Sequence, residues 1–230
     1  MKFCTLTLST LFLLLSHNSF AVDLTTQKQK YSYAIGIQLG QMLRAQDVTD
    51  LDVDAFSAAI ADHLSHTTPQ LSQPQMRESL KLHYQQRKTE RTKTATENST
   101  KGAQFRKENG QRDIVTTLEN GLQFEVLKAG DGPSPAAKDK VEVHYQGTLI
   151  DGSVFDSSYS RGKPVQFNLN GVVAGFREAI VRMKPGAKWR VVMPPEMAYG
   201  ETGAGKKIGP NETLVFEIEY IGLAAKPSTK

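Results

Sequence analysis

The spacing of apolar residues changes near residue 114, and this change constrains the fold more than any other feature of the sequence. Before it, apolar side chains recur every three or four positions, which is typical of helices. Two such series are Tyr31, Ile35, Leu39 and Met42, then Phe56, Ile60 and Leu64. After it, apolar and polar residues alternate, which is typical of half-buried strands. The sequence therefore predicts a helical region followed by a β-rich region.

The β-rich region has the pattern of an antiparallel sheet. Its alternating series are Leu122, Phe124 and Val126; Val141, Val143 and Tyr145; Val165, Phe167 and Leu169; and Leu214, Phe216, Ile218 and Tyr220. Turn signals such as Asp151-Gly152 and Pro185-Gly186 separate them, and a short helical stretch covers residues 176–183. This pattern predicts an α+β fold, a curved antiparallel sheet of about five strands wrapped around one short helix, with a pocket on its concave side.

The helical region ends in a long polar segment. Ser72 is a good N-cap, Pro74 suits a first turn, and Gln75 completes a capping box. If helical from Gln73 to Asn109, the segment is about 55 Å long at ~1.5 Å per residue. Residues 85–112 offer no apolar stripe to bury, which predicts a solvated stalk. A disordered linker is the alternative, because a Thr-, Ser- and Asn-rich cluster and a glycine weaken the helix in its middle.

Three small residues follow one face of the first predicted helix. Ser32, Gly36 and Gly40 are spaced four apart, and each glycine costs about 1 kcal/mol relative to alanine inside a helix. Their placement predicts that another segment packs closely on this face. The partner is either a second copy of the chain or the second helix of the same chain.

The first 21 residues have the pattern of a secretory signal peptide. Lys2 precedes an apolar run, and Ser19 and Ala21 place small residues before a cleavage site. The run is too short for a membrane anchor. Cys4, the only cysteine, leaves with the peptide, so the mature chain is predicted to be an envelope or periplasmic protein without disulfides. Its net charge, +4 before cleavage, is too small and too dispersed to predict nucleic-acid binding.

Most sites that perform covalent or metal chemistry are excluded by the residues. The stretch from Gly200 to Lys206 is similar to a phosphate-binding loop, but Lys207 stands where Ser or Thr is required. His63 and His66 share a helical face without the further ligands that zinc needs. No nucleophile motif is present, and neither a metal nor a cofactor is implied.

Five blocks in the second half identify a family. They are Val143-His144-Tyr145 with Gly147; residues 152–158, which include Phe155 and Asp156; Val172-Val173 with Gly175 and Phe176; Pro194-Pro195 with Ala198-Tyr199-Gly200; and Pro210-Asn211 with Thr213 to Phe216. In order and spacing they resemble an FKBP-type peptidyl-prolyl cis-trans isomerase domain, most closely over residues 138–223. The helical region resembles the N-terminal dimerisation region of the macrophage infectivity potentiator (Mip) subfamily. We therefore expect a signal peptide at 1–21, a helical dimerisation region and stalk at 22–112, and an isomerase domain at 113–230.

The resemblance implies an aromatic pocket that binds a proline ring. The residues it assigns are Tyr145, Phe155, Asp156 and Tyr199 as catalytic residues, and Val172, Val173, Phe176, Phe216 and Arg161 in substrate binding. By the same resemblance, the Tyr199 hydroxyl and the Val173 N–H bind substrate carbonyls, and Arg161 holds Asp156. The residues alone would favour a plain aromatic core and a surface ion pair.

The resemblance also implies a biological setting. It predicts a homodimer that isomerises X-Pro bonds in unfolded exported proteins, is inhibited by macrolides such as rapamycin, and lies in the periplasm or at the outer membrane. A holdase-type chaperone with weak isomerase activity is the alternative. Two departures from the family pattern stand out: Phe176 replaces the tryptophan of many members, and residues 204–207 form a small basic loop that predicts a preference for acidic residues beside the proline.

Overall fold

The computed structural model describes residues 23–46 and 48–224. The predicted signal peptide and Cys4 lie outside the described residues. The chain divides into two compact units, one that ends at Thr68 and one that begins at Pro69. No helix in the described part is both long and apolar enough to span a membrane.

The first unit contains helices α1 (Gln27–Ala45) and α2 (Val53–Leu64). Thr26 and Gln29 form a capping box at the start of α1, and Asp52 accepts a 2.9 Å hydrogen bond from Ala55 N–H at the start of α2. Although apolar residues follow the helical spacing, neither helix has a buried residue. Within the described residues, nothing lies within 4 Å of a Cβ placed on Gly36 or Gly40. The alternative in which α2 packs closely on this face is therefore wrong.

Helix α3 (Gln73–Asn109) begins the second unit and is continuous. Gln75 Oε1 accepts a 2.8 Å hydrogen bond from Ser72 N–H, as the capping box predicts. The threonines of the weak central segment donate their hydroxyls to carbonyls one turn back, for example Thr96 to Thr92 O at 3.0 Å. Because the helix itself satisfies these hydroxyls, the segment stays helical, and the disordered-linker alternative is wrong.

The C-terminal half of α3 is not solvated on all sides, which corrects the prediction of a fully solvated stalk. Residues on one face of this half are buried or half-buried. They are Ala95, Asn98, Gly102, Phe105 and Asn109, which are spaced three and four apart. Asn109 Nδ2 donates to Gln123 Oε1 at 2.9 Å, and the Arg106 guanidinium donates to the Thr213 hydroxyl. Apart from Phe105, this face packs on the sheet and its loops through small and polar side chains, so it carries no apolar stripe that would have predicted it.

In the described part of the chain the sheet has seven strands, whereas the sequence predicted about five. The strands are β1 (Thr116–Thr117), β2 (Gln123–Lys128), β3 (Lys140–Leu149), β4 (Val154–Ser157), β5 (Val165–Asn168), β6 (Lys188–Met193) and β7 (Leu214–Leu223). All pairings are antiparallel, in the order β1-β2-β6-β7-β3-β4, with β5 also paired to β3. Strand β6 was not predicted from the sequence. Val191, Val192 and Met193 are all buried, so apolar and polar residues do not alternate there.

Helix α4 (Ala174–Ile180) lies in the concave face of the sheet. It begins two residues earlier than the pattern indicated and ends three residues earlier, in a turn that leads to Met183. Phe176, Ala179 and Ile180 are buried in one cluster with residues of β3, β6 and β7. The predicted α+β architecture, a curved sheet around one short helix, is confirmed.

Candidate active site

One cavity, of about 260 Å³, opens between α4 and the concave face of the sheet. Its lining residues are Tyr145, Phe155, Asp156, Phe167, Gly171, Val172, Val173, Phe176, Tyr199 and Phe216. Eight of the nine residues assigned from the sequence therefore meet here. The ninth, Arg161, contacts the cavity wall through Asp156 and Tyr145.

The cavity walls are aromatic rings that meet edge to face. Phe176 is at the centre of this cluster, with ring centroids 5.8 Å from Tyr145, 5.5 Å from Phe216 and 5.9 Å from Phe167. Each such pair contributes about 0.5–1.5 kcal/mol beyond its buried area. The cluster is apolar and preformed, as a site for a small apolar ring requires.

Gly147, near the end of β3, allows two of these rings to lie against the backbone. A Cβ at this position would collide with the ring of Phe155 and lie 2.9 Å from a ring atom of Phe216. A larger residue would therefore displace the aromatic wall, which explains why a glycine stands inside a strand.

A polar group made of Tyr145, Asp156 and Arg161 closes one side of the cavity. The Tyr145 hydroxyl donates to Asp156 Oδ2, Arg161 Nη1 donates to Asp156 Oδ1 at 2.5 Å, and Arg161 Nη2 donates to the Tyr145 hydroxyl at 2.9 Å. The Arg161 guanidinium carbon also lies 5.7 Å from the centre of the Tyr145 ring. The ion pair is thus tied to a tyrosine that is only 5% exposed, which distinguishes it from an isolated surface pair.

The environment fixes the protonation states of this group near neutral pH. Burial, followed by the hydrogen bond to Asp156, raises the pKa of Tyr145 to about 12. Desolvation opposes ionisation of Asp156, but the hydrogen bonds from Tyr145 and Arg161 outweigh it and lower the pKa of the carboxyl. Asp156 is therefore ionised and Tyr145 protonated, so the wall presents a carboxylate that Arg161 and Tyr145 hold in a fixed position.

Two groups at the cavity rim are suited to bind a peptide backbone. Tyr199 is 39% exposed, and no described residue shares a hydrogen bond with its hydroxyl. Val173 is the N-cap of α4, and its carbonyl accepts hydrogen bonds from Phe176 and Arg177 N–H at 3.1 and 3.2 Å. Helix α4 therefore sets the orientation of Val173 at the rim.

Comparisons with known proteins agree with this geometry. Residues 132–221 match the model of the FKBP-type peptidyl-prolyl cis-trans isomerase family, and residues 28–126 match the domain amino terminal to FKBP-type peptidyl-prolyl isomerase. The chain is 40% identical to the peptidyl-prolyl cis-trans isomerase Mip of Coxiella burnetii, over 90% of this chain and 91% of that protein. It is 39% identical to the outer membrane protein MIP of Legionella longbeachae, over 88% of each chain. The chain belongs to the FKBP-type peptidyl-prolyl cis-trans isomerase family.

A solved structure of an FKBP-family protein is also similar to this isomerase. The crystal structure of FkpA from Escherichia coli matches with a TM-score of 0.61 and 36% identity, over 88% of this chain and 99% of that chain. Resemblance to the Mip subfamily, predicted from the sequence blocks, is confirmed, as is the class of enzyme.

Three residues that line the cavity or contact its wall were not assigned from the sequence. Phe167 and Gly171 line the cavity, and Phe167 had been placed only in an alternating strand. Ser158 is fully buried; its Oγ accepts from Tyr145 N–H at 2.8 Å and donates to Tyr145 O at 3.1 Å. Ser158 therefore fixes the backbone of Tyr145. Its position as the last residue of the block that contains Asp156 was the available signal.

The small basic loop of the isomerase lies beside the cavity. A second groove there is lined by Phe155, Asp156, Tyr199 and residues 204–208. Lys207 Nζ donates to Phe155 O at 3.2 Å and so connects the loop to β4.

Proposed function

We propose that the isomerase accelerates rotation about X-Pro bonds in exported proteins as they fold in the periplasm, with the described cavity as its active site. The observation that carries this proposal is the preformed aromatic cavity with an ionised Asp156 and a protonated Tyr145 on one wall. The amino-terminal secretory pattern supports the location. One relative is named an outer membrane protein, which supports a place at the cell envelope.

The cavity supplies what the reaction needs without a nucleophile. Rotation about the X-Pro bond meets a barrier of about 18–20 kcal/mol, because the planar amide is stabilised by resonance. The planar form is more polar than the twisted form, so removal of water by the aromatic walls of Phe155, Phe176 and Phe216 favours the twisted amide. Asp156 faces the rotating amide, while Val173 N–H and the Tyr199 hydroxyl bind the flanking carbonyls.

The test of this function is exchange of a short Xaa-Pro peptide. Mature protein from Val22 onward should accelerate cis-to-trans exchange, and rapamycin should inhibit it by occupying the aromatic cavity. Exchange that rapamycin leaves unchanged would place the activity outside this cavity.

We further propose that two copies associate through the N-terminal helices. The supporting observation is that α1 carries exposed Tyr31, Ile35 and Met42 while nothing described packs on Gly36 or Gly40. A partner that packs closely on the face of Gly36 and Gly40 would compensate for the helix stability that the two glycines cost. Gly36→Leu should convert the dimer to a monomer in sedimentation analysis, whereas Ala34→Leu, on the opposite side of α1, should not. A monomeric wild type would refute the dimer.

A chaperone contribution, as a holdase for unfolded chains, is the second candidate. It is supported by exposed apolar side chains in the first turns of α3, among them Leu80 and Tyr84, and by those of α1 and α2. We propose that the isomerase domain begins after Arg112. Because α3 packs on the sheet, however, the fragment that tests the role of α1 and α2 should begin at Pro69 and so keep α3. That fragment should keep peptide exchange and lose most of the suppression of aggregation, because it lacks α1 and α2 and retains only the exposed apolar side chains of α3. If suppression persists, the first two helices are not the chaperone surface.

A further inference from the structure

Helix α3 contacts the loop that follows Tyr199. Arg91 Nη2 donates to Glu201 O at 2.9 Å and to Thr202 O at 2.8 Å. About two turns further along the helix, Asn98 Nδ2 donates to Pro210 O at 2.9 Å. The helix therefore binds this loop near both of its ends, and it does so through backbone carbonyls.

These contacts are close in the chain to the rim of the active site. Tyr199 immediately precedes the 3-10 turn Gly200–Thr202, whose last two carbonyls bind Arg91. Gly203 N–H donates to Tyr199 O at 3.1 Å, and Asn211 N–H donates to Gly200 O at 2.9 Å. A movement of the turn would therefore move Tyr199.

The rest of the loop has few anchors of its own. Ile208 is 7% exposed and pairs with Ala204, and Lys207 reaches the Phe155 carbonyl. These anchors lie in the middle of the loop. Only the contacts of α3 bind the 3-10 turn from outside the loop, among the described residues.

We propose that Arg91 and Asn98 are positioning residues for the isomerase reaction: through them α3 holds the loop at residues 199–211 so that the Tyr199 hydroxyl stays at the cavity rim. This inference rests on the proposed function of the cavity. It assigns the long helix a role in the reaction itself.

The expected effect is on substrate binding. Because Tyr199 contacts the peptide in the ground state as well as in the transition state, a loosened loop raises KM more than it lowers kcat. The Arg91→Ala/Asn98→Asp variant of the mature protein should lose about three- to tenfold in kcat/KM, the range of one or two weakened hydrogen bonds. Arg91→Lys, which keeps a positively charged hydrogen-bond donor, should lose less.

Two measurements separate positioning from a general loss of structure. Arg77→Ala, at an exposed arginine earlier on the same helix, is the matched control and should retain wild-type kcat/KM. Tyr199→Phe should then be measured in both backgrounds. If Arg91 and Asn98 act through Tyr199, removal of the hydroxyl costs less in the loosened background, so the effects are not additive.

The outcomes are distinct. A KM increase with non-additivity and a melting temperature equal to that of Arg77→Ala supports the inference. Unchanged kcat/KM in the double variant, or strictly additive effects with Tyr199→Phe, overturns it while the wild type remains active. An inactive wild type overturns the proposed function, and this inference with it.

Discussion

Tyr145 is the residue on which the polar wall of the cavity depends. Its ring is buried against Phe176, its backbone is held by Ser158, and its hydroxyl joins Asp156 to Arg161. Because burial disfavours the charged phenolate and the protonated hydroxyl donates to the Asp156 carboxylate, the folded state favours the neutral form of the side chain.

This preference predicts a pH dependence of stability. The pKa of Tyr145 is raised to about 12 in the folded state, above its ordinary value of 10.0. The stabilisation is therefore fully present below pH 10 and is lost as the pH rises toward 12. Relative to Tyr145→Phe, the wild type should lose about 1 kcal/mol of unfolding free energy across that window, less than two full pKa units imply, because water at the cavity mouth screens the hydroxyl.

Urea titrations of both proteins at several pH values between 9 and 12 would measure this difference. Other tyrosines and lysines titrate in the same range, but they are common to both proteins and cancel. Parallel curves for wild type and Tyr145→Phe would contradict the proposed hydrogen-bond arrangement.

At the same scale, the sequence predicted residues that the structure brings together at one cavity where whole blocks carried them. The residues around Asp156 and Tyr199 were assigned because several neighbours matched together. Ser158 and Phe167 were missed because a buried hydroxyl that binds backbone, and an aromatic in an alternating strand, have the same local pattern whether or not they border a cavity. Only the tertiary structure distinguishes these cases.

Among the elements, α3 differs most from its sequence-based prediction. Its length and start were predicted from the cap and the polar composition, and both are confirmed. Its packing face was missed because Asn98, Gly102 and Asn109 replace the apolar residues that define a stripe. Such a face depends on complementary polar groups on the sheet, which no pattern within the helix reveals.

Gly102 provides a test of this packing. In an isolated helix, Gly102→Ala should stabilise by about 1 kcal/mol through propensity. Here a Cβ would collide with the buried Thr213 hydroxyl, at an overpacking cost of about 1–3 kcal/mol. We therefore expect a net loss of up to about 2 kcal/mol in unfolding free energy, measured by urea denaturation.

Thr213→Ala supplies the matched background for that experiment. It removes the oxygen that the new methyl group would meet, so Gly102→Ala should be less destabilising there than in the wild type. A gain of about 1 kcal/mol from Gly102→Ala in the wild-type background would show that α3 does not pack on Thr213.

At the scale of the whole molecule, the two units differ in what their sequences can stabilise. The second unit has a continuous core from β2 to β7, whereas the helices of the first have no buried residues. The change of period near residue 114 predicted where the sheet begins, whereas the two units divide between Thr68 and Pro69, because α3 packs on the sheet and belongs to the second unit. The sequence left open which segment covers α1, because periodicity shows that a helix face is apolar but does not identify its partner.

The central claim is that the aromatic cavity isomerises X-Pro bonds. The most direct test compares cis-to-trans exchange of an Xaa-Pro peptide by the mature wild type and by Asp156→Ala/Tyr199→Ala. Tyr84→Ala/Asp113→Ala, which changes the same residue types at exposed positions away from the cavity, is the control. We predict fast exchange by wild type and control, and at least about a tenfold loss in the cavity variant, the factor that 1.4 kcal/mol of lost transition-state stabilisation gives. Equal exchange by all three proteins, or none by folded wild type, would contradict the claim.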